Sequence, residues 1–181
     1  VTDVLEKQAA ERGIVLHREY GRLPHPRLVG SPLHVKRLLM NVLSNAIKYN
    51  RDKGRVMLDC FELSCTGDKA QICFVCMDTG IGMSEEFQKR MFEPFTQENA
   101  GARSVYGGTG LGMSITKSLV DKMGGTIGVE SKQGVGTTYT ITLPFAVDNT
   151  QAEEPEQQQT DLTVLQGRRL LLAEDNALNM E

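Results

Sequence analysis

Asn41, Asn45 and Lys48 stand four and three residues apart, the spacing that puts side chains on one side of a helix. Two amides and an ammonium on one face, in a stretch from Pro32 to Lys48 with no acidic residue, suit an anionic, metal-bound ligand. An amide oxygen can coordinate Mg2+, and the lysine can neutralise phosphate oxygens. The competing reading is a solvated helix face, although such a face favours Glu, Lys or Gln over Asn. Asp78-Thr79-Gly80-Ile81-Gly82-Met83 follows an apolar run. A carboxylate at a strand end can accept a hydrogen bond from an exocyclic amine such as that of adenine, and Gly80 and Gly82 let backbone approach a flat ligand. Read alone, the same stretch could be a strand-to-helix turn capped by Asp. Gly107-Gly108-Thr109-Gly110-Leu111-Gly112 opens a second helical stretch, and the free amides of a helix N-terminus make an anion site; a flexible hinge is the alternative. Met113 stands where a P-loop needs lysine, and the even spacing of Gly108, Gly110 and Gly112 does not fit G-x-G-x-x-G. Gly134-Val135-Gly136-Thr137-Thr138 reads as a hairpin turn.

The elements that must hold these groups are legible from periodicity and punctuation. Helices are predicted over 3–12, from Ser31-Pro32 to about Tyr49, from near Ser84, and from about Leu111 to Met123 before Gly124-Gly125. The second of these carries the apolar stripe Val35, Leu39, Val42, Leu43 and Ala46. Strands are predicted over 14–19, 55–63, 70–77, 126–130 and 137–143, and the stretch 99–108 as a small, polar, mobile loop. Interspersed helices and strands point to a mixed sheet covered by helices on one face.

Composition narrows the class. The net charge of -3 argues against a nucleic-acid surface, and no apolar run is long enough to cross a bilayer. Cys73 and Cys76 have C-x-x-C spacing, but on a strand residues three apart face opposite ways, so the four cysteines Cys60, Cys65, Cys73 and Cys76 read as reduced, partly buried thiols. Three regions separate: 1–147 is globular, 148–167 is an acidic, Gln-rich linker, and 168–181 returns to an apolar run ending in Glu174-Asp175-Asn176.

The order of these motifs resembles the nucleotide-binding boxes of two-component sensor histidine kinases, within the superfamily shared with DNA gyrase, Hsp90 and MutL. Asn41 to Tyr49 resembles the N box, Asp78 to Gly82 the first glycine box, Phe92-Glu93-Pro94-Phe95 the F box, Gly108 to Gly112 the second glycine box, and Gly134 to Thr138 the third. The resemblance implies an α/β sandwich of the Bergerat type, a mixed β-sheet with helices packed on one face, that binds ATP with Mg2+. It implies Asn45 as the Mg2+ ligand with Asn41 beside it, Lys48 at the phosphates, and Tyr49 near the adenine. Asp78, with Gly80 and Gly82, would select the base, Thr138 would lie near it, and Gly108, Thr109, Gly110, Leu111 and Gly112 would cradle phosphates. The segment 96–109 would be an ATP lid, poorly ordered without nucleotide, with Phe92 and Phe95 anchoring one end and Phe95 among the ATP-binding residues. Ser31, His34 and Arg37 stand where many relatives have Asp, Arg and Gln.

Hydrolases of the superfamily place a glutamate base where this chain has Asn41, and an amide cannot take a proton from water. The resemblance therefore favours transfer of the γ-phosphoryl group to a histidine over hydrolysis; the alternatives are an ATP-binding regulatory module without transferase activity, or a weak ATPase. Gly21 and Pro24 break any helix around His17. The acceptor histidine is therefore expected on dimerisation helices upstream of Val1, the chain alone as a monomer and the full protein as a homodimer. The tail Arg169 to Asn176 resembles the first strand of a receiver domain, with Glu174 and Asp175 as its acidic Mg2+ pair. The expected parent is a hybrid kinase working with its own receiver or a separate regulator. This part of it would lie in the cytoplasm, with any membrane anchor elsewhere.

Overall fold

A computed structural model describes residues 2–98 and 109–150, with side chains from Leu5 onward. The elements are α1 (Thr2–Glu11), β1 (Val15–Tyr20), β2 (Leu28–Val29), α2 (Pro32–Lys48), β3 (Arg55–Thr66), β4 (Lys69–Asp78), α3 (Glu85–Arg90), α4 (Gly112–Lys122), β5 (Thr126–Lys132) and β6 (Gly136–Val147). The first compact unit ends at Asn149. Gly108, most of the expected lid, most of the linker and the receiver-like tail with Glu174 and Asp175 lie outside the described residues.

The sheet is mixed. β1 pairs parallel with β3, and β3–β4, β4–β6, β5–β6 and β2–β6 are antiparallel. β6 is long enough to carry β4 along one edge while β5 and β2 share the other. Alternation sorts β4 and β6 into two faces. Ala70, Ile72, Phe74, Cys76 and Asp78 on β4, and Thr137, Tyr139, Ile141, Leu143 and Phe145 on β6, are buried on the face that the helices cover.

Helix α2 packs on that face through Leu38, Val42, Leu43, Ala46 and Ile47, and Val35 and Leu39 complete the stripe. Ser31 caps it as the sequence predicts, its hydroxyl accepting from the His34 N–H at 3.4 Å. Its C-terminus is held by a residue the sequence does not advertise. The Arg12 guanidinium donates to the carbonyls of Ile47 (2.7 Å), Lys48 (3.0 Å) and Asn50 (2.7 Å), three acceptors at and just beyond the helix end. Buried Asn50 continues the tie, donating to the Arg55 carbonyl at 3.0 Å and accepting from the Arg51 N–H at 2.9 Å. Arg12→Met keeps much of the aliphatic stem and strands these carbonyls; we expect a loss of about 2–3 kcal/mol in urea unfolding.

Candidate active site

The N-terminus of α4, the polar face of α2 and the ends of β4 and β6 converge on one cavity of about 350 Å³, within the size range of small-molecule sites. Asn41, Asn45 and Lys48 line it from α2. The Asn41 amide donates to the Thr116 hydroxyl at 2.6 Å, and that hydroxyl donates to the Gly112 carbonyl at 3.1 Å. This chain fixes α2 against the first turn of α4. A Cβ on Gly112 would run into the Asn41 amide, so Gly112→Ala must push apart the two elements that flank the cavity. We expect at least a tenfold weaker nucleotide Kd and a loss of about 1–3 kcal/mol in stability, measured by calorimetric titration and thermal unfolding.

Among the described residues no side chain caps the N-terminus of α4, and Thr109, Gly110, Gly112 and Met113 border the cavity there. Open amides at that end, with the helix dipole, favour an anion. Leu111 is the N-cap residue and does not line the cavity. Gly110, at φ 71°, sits against the backbone of Phe95, whose N–H donates to the Gly110 carbonyl at 3.1 Å.

At the other end stands Asp78, 9% exposed, with its carboxylate accepting the Gly80 N–H at 2.8 Å. Burial pushes its pKa up to about 6, against the lowering effect of hydrogen bonds from the backbone of Gly80 and Thr137. Ile81, Met83, Phe87, Met91 and Tyr139 line the same cavity, an apolar lining for a flat ring. Gly80 is pressed between this carboxylate and the Tyr49 carbonyl, which accepts from the Ile81 N–H at 3.0 Å. Gly82, at φ 65°, lines the cavity beside the backbone of Lys132. Tyr49 lines the cavity, and the Lys48 ammonium lies 4.8 Å from its ring centre.

The described residues thus bring Asn41, Asn45, Lys48, Tyr49, Asp78, Gly82, Thr109, Gly110 and Gly112 to one cavity, with Gly80 behind its wall. Besides that for Leu111, two expectations need correction. Thr138 is on the wrong face: Thr137 pairs with Asp78 and lines the cavity, while Thr138 pairs with Met77 and points away from the helices. Phe95 acts through its backbone, its side chain being exposed, whereas Phe92 packs against the core. The sequence reading also missed Phe87, Met91 and Tyr139, whose apolar character looks like ordinary core. Arg37 is exposed and outside the cavity lining.

None of the three histidines lines the cavity: His17 is on β1, His25 lies between two prolines, and His34 is in the first turn of α2. All four cysteines are free, and burial raises Cys60 to about 11 and Cys76 to about 12. Among the described residues no helix is long and apolar enough to cross a membrane.

Residues 30–147 match the family described as histidine kinase-, DNA gyrase B-, and HSP90-like ATPases, and the chain belongs to it. Its relatives are sensor histidine kinases. Sensor histidine kinase AruS of Pseudomonas aeruginosa is 33% identical over 181 residues, covering 100% of this chain and 18% of that protein. Hybrid signal transduction histidine kinase A of Dictyostelium discoideum is 39% identical over 133 residues, 69% of this chain and 6% of that protein. The solved structure of full-length ShkA in complex with AMPPNP superimposes with a TM-score of 0.67 at 28% identity, over 81% of this chain and 28% of that one. The chain spans 5% to 18% of the length of the first curated relatives it matches.

Proposed function

We propose that this chain binds Mg-ATP and presents the γ-phosphoryl group to a histidine supplied by another domain of a two-component kinase. The observation that carries the reading is the convergence of buried Asp78 with the α2 amides and the uncapped α4 N-terminus on one cavity. AMPPNP in the ShkA structure supports an adenine nucleotide as the ligand. Asp78 accepts the adenine amino group, with Thr137 beside it. Asn45, with Asn41, supplies the hard amide oxygens that suit Mg2+, and the metal when bound neutralises phosphate charge. Lys48 and the amides of Gly110 and Gly112 hold the phosphates.

Asn41 also bears on the reaction class. Its amide nitrogen is engaged with Thr116, and an amide is no base, so the site can orient phosphate but has no group at this position to activate water. Transfer to an incoming nucleophile is therefore favoured over hydrolysis. The histidine sits on upstream helices that also dimerise the parent protein, residues 96–109 close over the nucleotide, and residues 148–167 link to a receiver beginning at 168–181, with Glu174 and Asp175 as its metal pair. The Dictyostelium relative, named as a hybrid kinase, supports that last assignment. This part of the parent works in the cytoplasm, and the parent itself is either free or anchored to a membrane through another segment.

The test mixes the 181-residue chain with a separately made histidine-helix domain from the same parent and ATP labelled on the γ-phosphate. Acid-labile, base-stable label on that domain is expected. Steady release of phosphate without labelling would make the chain a hydrolase, and nucleotide binding alone would make it a regulatory module.

A further inference from the structure

We infer that the chain carries a second metal site, for a zinc-class divalent ion, formed by His25, Glu62 and Cys65 at the end of the sheet remote from the nucleotide cavity. The sequence hides it, because residues 62 and 65 are three apart on one strand and should face opposite ways. A bulge removes that objection. Between β3 and β4 the register runs Glu62 to Ile72, then Ser64 to Gln71 and Cys65 to Ala70, so Leu63 is the extra residue. Ile72 and Ala70 are both buried on the helix-covered face, and Glu62 and Cys65 therefore come to that face together.

His25 reaches the same point from the segment between β1 and β2, held between Pro24 and Pro26. Its Nδ1 lies 2.9 Å from Glu62 Oε2 and 3.0 Å from Oε1, and its backbone N–H donates to Oε2 at 3.3 Å. The Glu62 side chain is only 5% exposed. The Cys65 thiol donates to the Gly67 carbonyl at 3.6 Å. One nitrogen, one carboxylate oxygen and one sulfur thus lie within 4.8 Å of one another.

Tetrahedral bonds of about 2.0–2.3 Å place donors about 3.3–3.8 Å apart, so closure needs a movement on the order of 1 Å, within reach of a thiol rotation. The mixed nitrogen, oxygen and sulfur set selects a borderline-soft ion over Mg2+. Binding replaces the thiol proton, which leaves to solvent, with a sulfur–metal bond. The Nδ1–H bond to Glu62 breaks as the imidazole loses that proton to solvent and carries its proton on Nε2, taken up from solvent where His25 was neutral; Nδ1 then gives its lone pair, Glu62 gives one oxygen, and water fills the fourth position. The ion then ties the segment before β2 to the end of β3. Ile72 lies six residues from Asp78 along β4, about 20 Å away, so the two sites are separate.

The test titrates the metal-free 181-residue chain with Co2+ and then Zn2+. One Co2+ per chain is expected, with a sulfur-to-cobalt charge-transfer band in the near ultraviolet, displaced by Zn2+. Zn2+ should also raise the Tm. Cys65→Ser should abolish the band and the Tm rise, His25→Gln should weaken Co2+ affinity at least tenfold, and Cys60→Ser should change neither. The nucleotide cavity has no cysteine in its lining, so saturating Mg-ATP should leave the band intact. No band in the wild type, a band that survives Cys65→Ser, or one lost in Cys60→Ser would overturn the site.

Discussion

Asp78→Asn should weaken ATP binding about a hundredfold and leave the fold intact. Asp78 is buried in the cavity lining; in the proposed function its carboxylate accepts from the adenine amine, and an amide in its place can present an NH2 group to that amine. Loss of a charge-assisted hydrogen bond in a buried site is about 3 kcal/mol, which is roughly that factor in Kd. The same residue sets a pH dependence. With its pKa raised to about 6, Asp78 loses its acceptor charge as pH falls through 6, so wild-type affinity should drop there while the weak binding of Asp78→Asn stays flat.

The stability effect runs the other way. Because the folded pKa lies above the usual carboxylate value of 3.8, the stabilising contribution is that of the neutral form. It is fully present below the unfolded pKa and is lost as pH rises through about 6. At pH 7.5 the Asn variant, still able to accept from the Gly80 N–H, should melt no lower than wild type. Calorimetric titration and thermal unfolding across pH 5–8 read both effects, and retained ATP affinity in Asp78→Asn would remove Asp78 from base recognition.

Asn45→Ala tests the other end of the cavity. Asn45 lines it one helical turn beyond Asn41. Loss of a hard oxygen beside the triphosphate should lower the rate of phosphoryl transfer about a hundredfold. The diagnostic is a comparison of nucleotide binding with Mg2+ and with a chelator. The variant should bind metal-free nucleotide as wild type does, because Asp78 is untouched, and should lose the gain that Mg2+ gives. Equal weakening in both conditions would make Asn45 a packing residue.

The parts of this fold that were legible are those written in local chemistry. Ser31-Pro32 and Gly124, at φ 71°, mark helix ends by sterics and capping alone, and the α2 stripe follows from its period. What stayed hidden depends on partners distant in sequence. Arg12 holds carbonyls 35 to 38 residues away, and nothing about an arginine near the end of a short helix announces that. β2 has two residues and owes its pairing to β6. The resemblance implies Thr138 near the base, whereas the residue at the cavity is Thr137, because a strand's period gives alternation but not its phase. The phase is set by the pairing of Asp78 with Thr137, which a sequence alone does not display.

The hydrogen bond from the Phe95 N–H to the Gly110 carbonyl joins the two stems from which residues 96–109 depart. Lengthening a tethered stretch adds only about 0.6 kcal/mol per doubling, so insertions there should be absorbed without disturbing the sheet or α2.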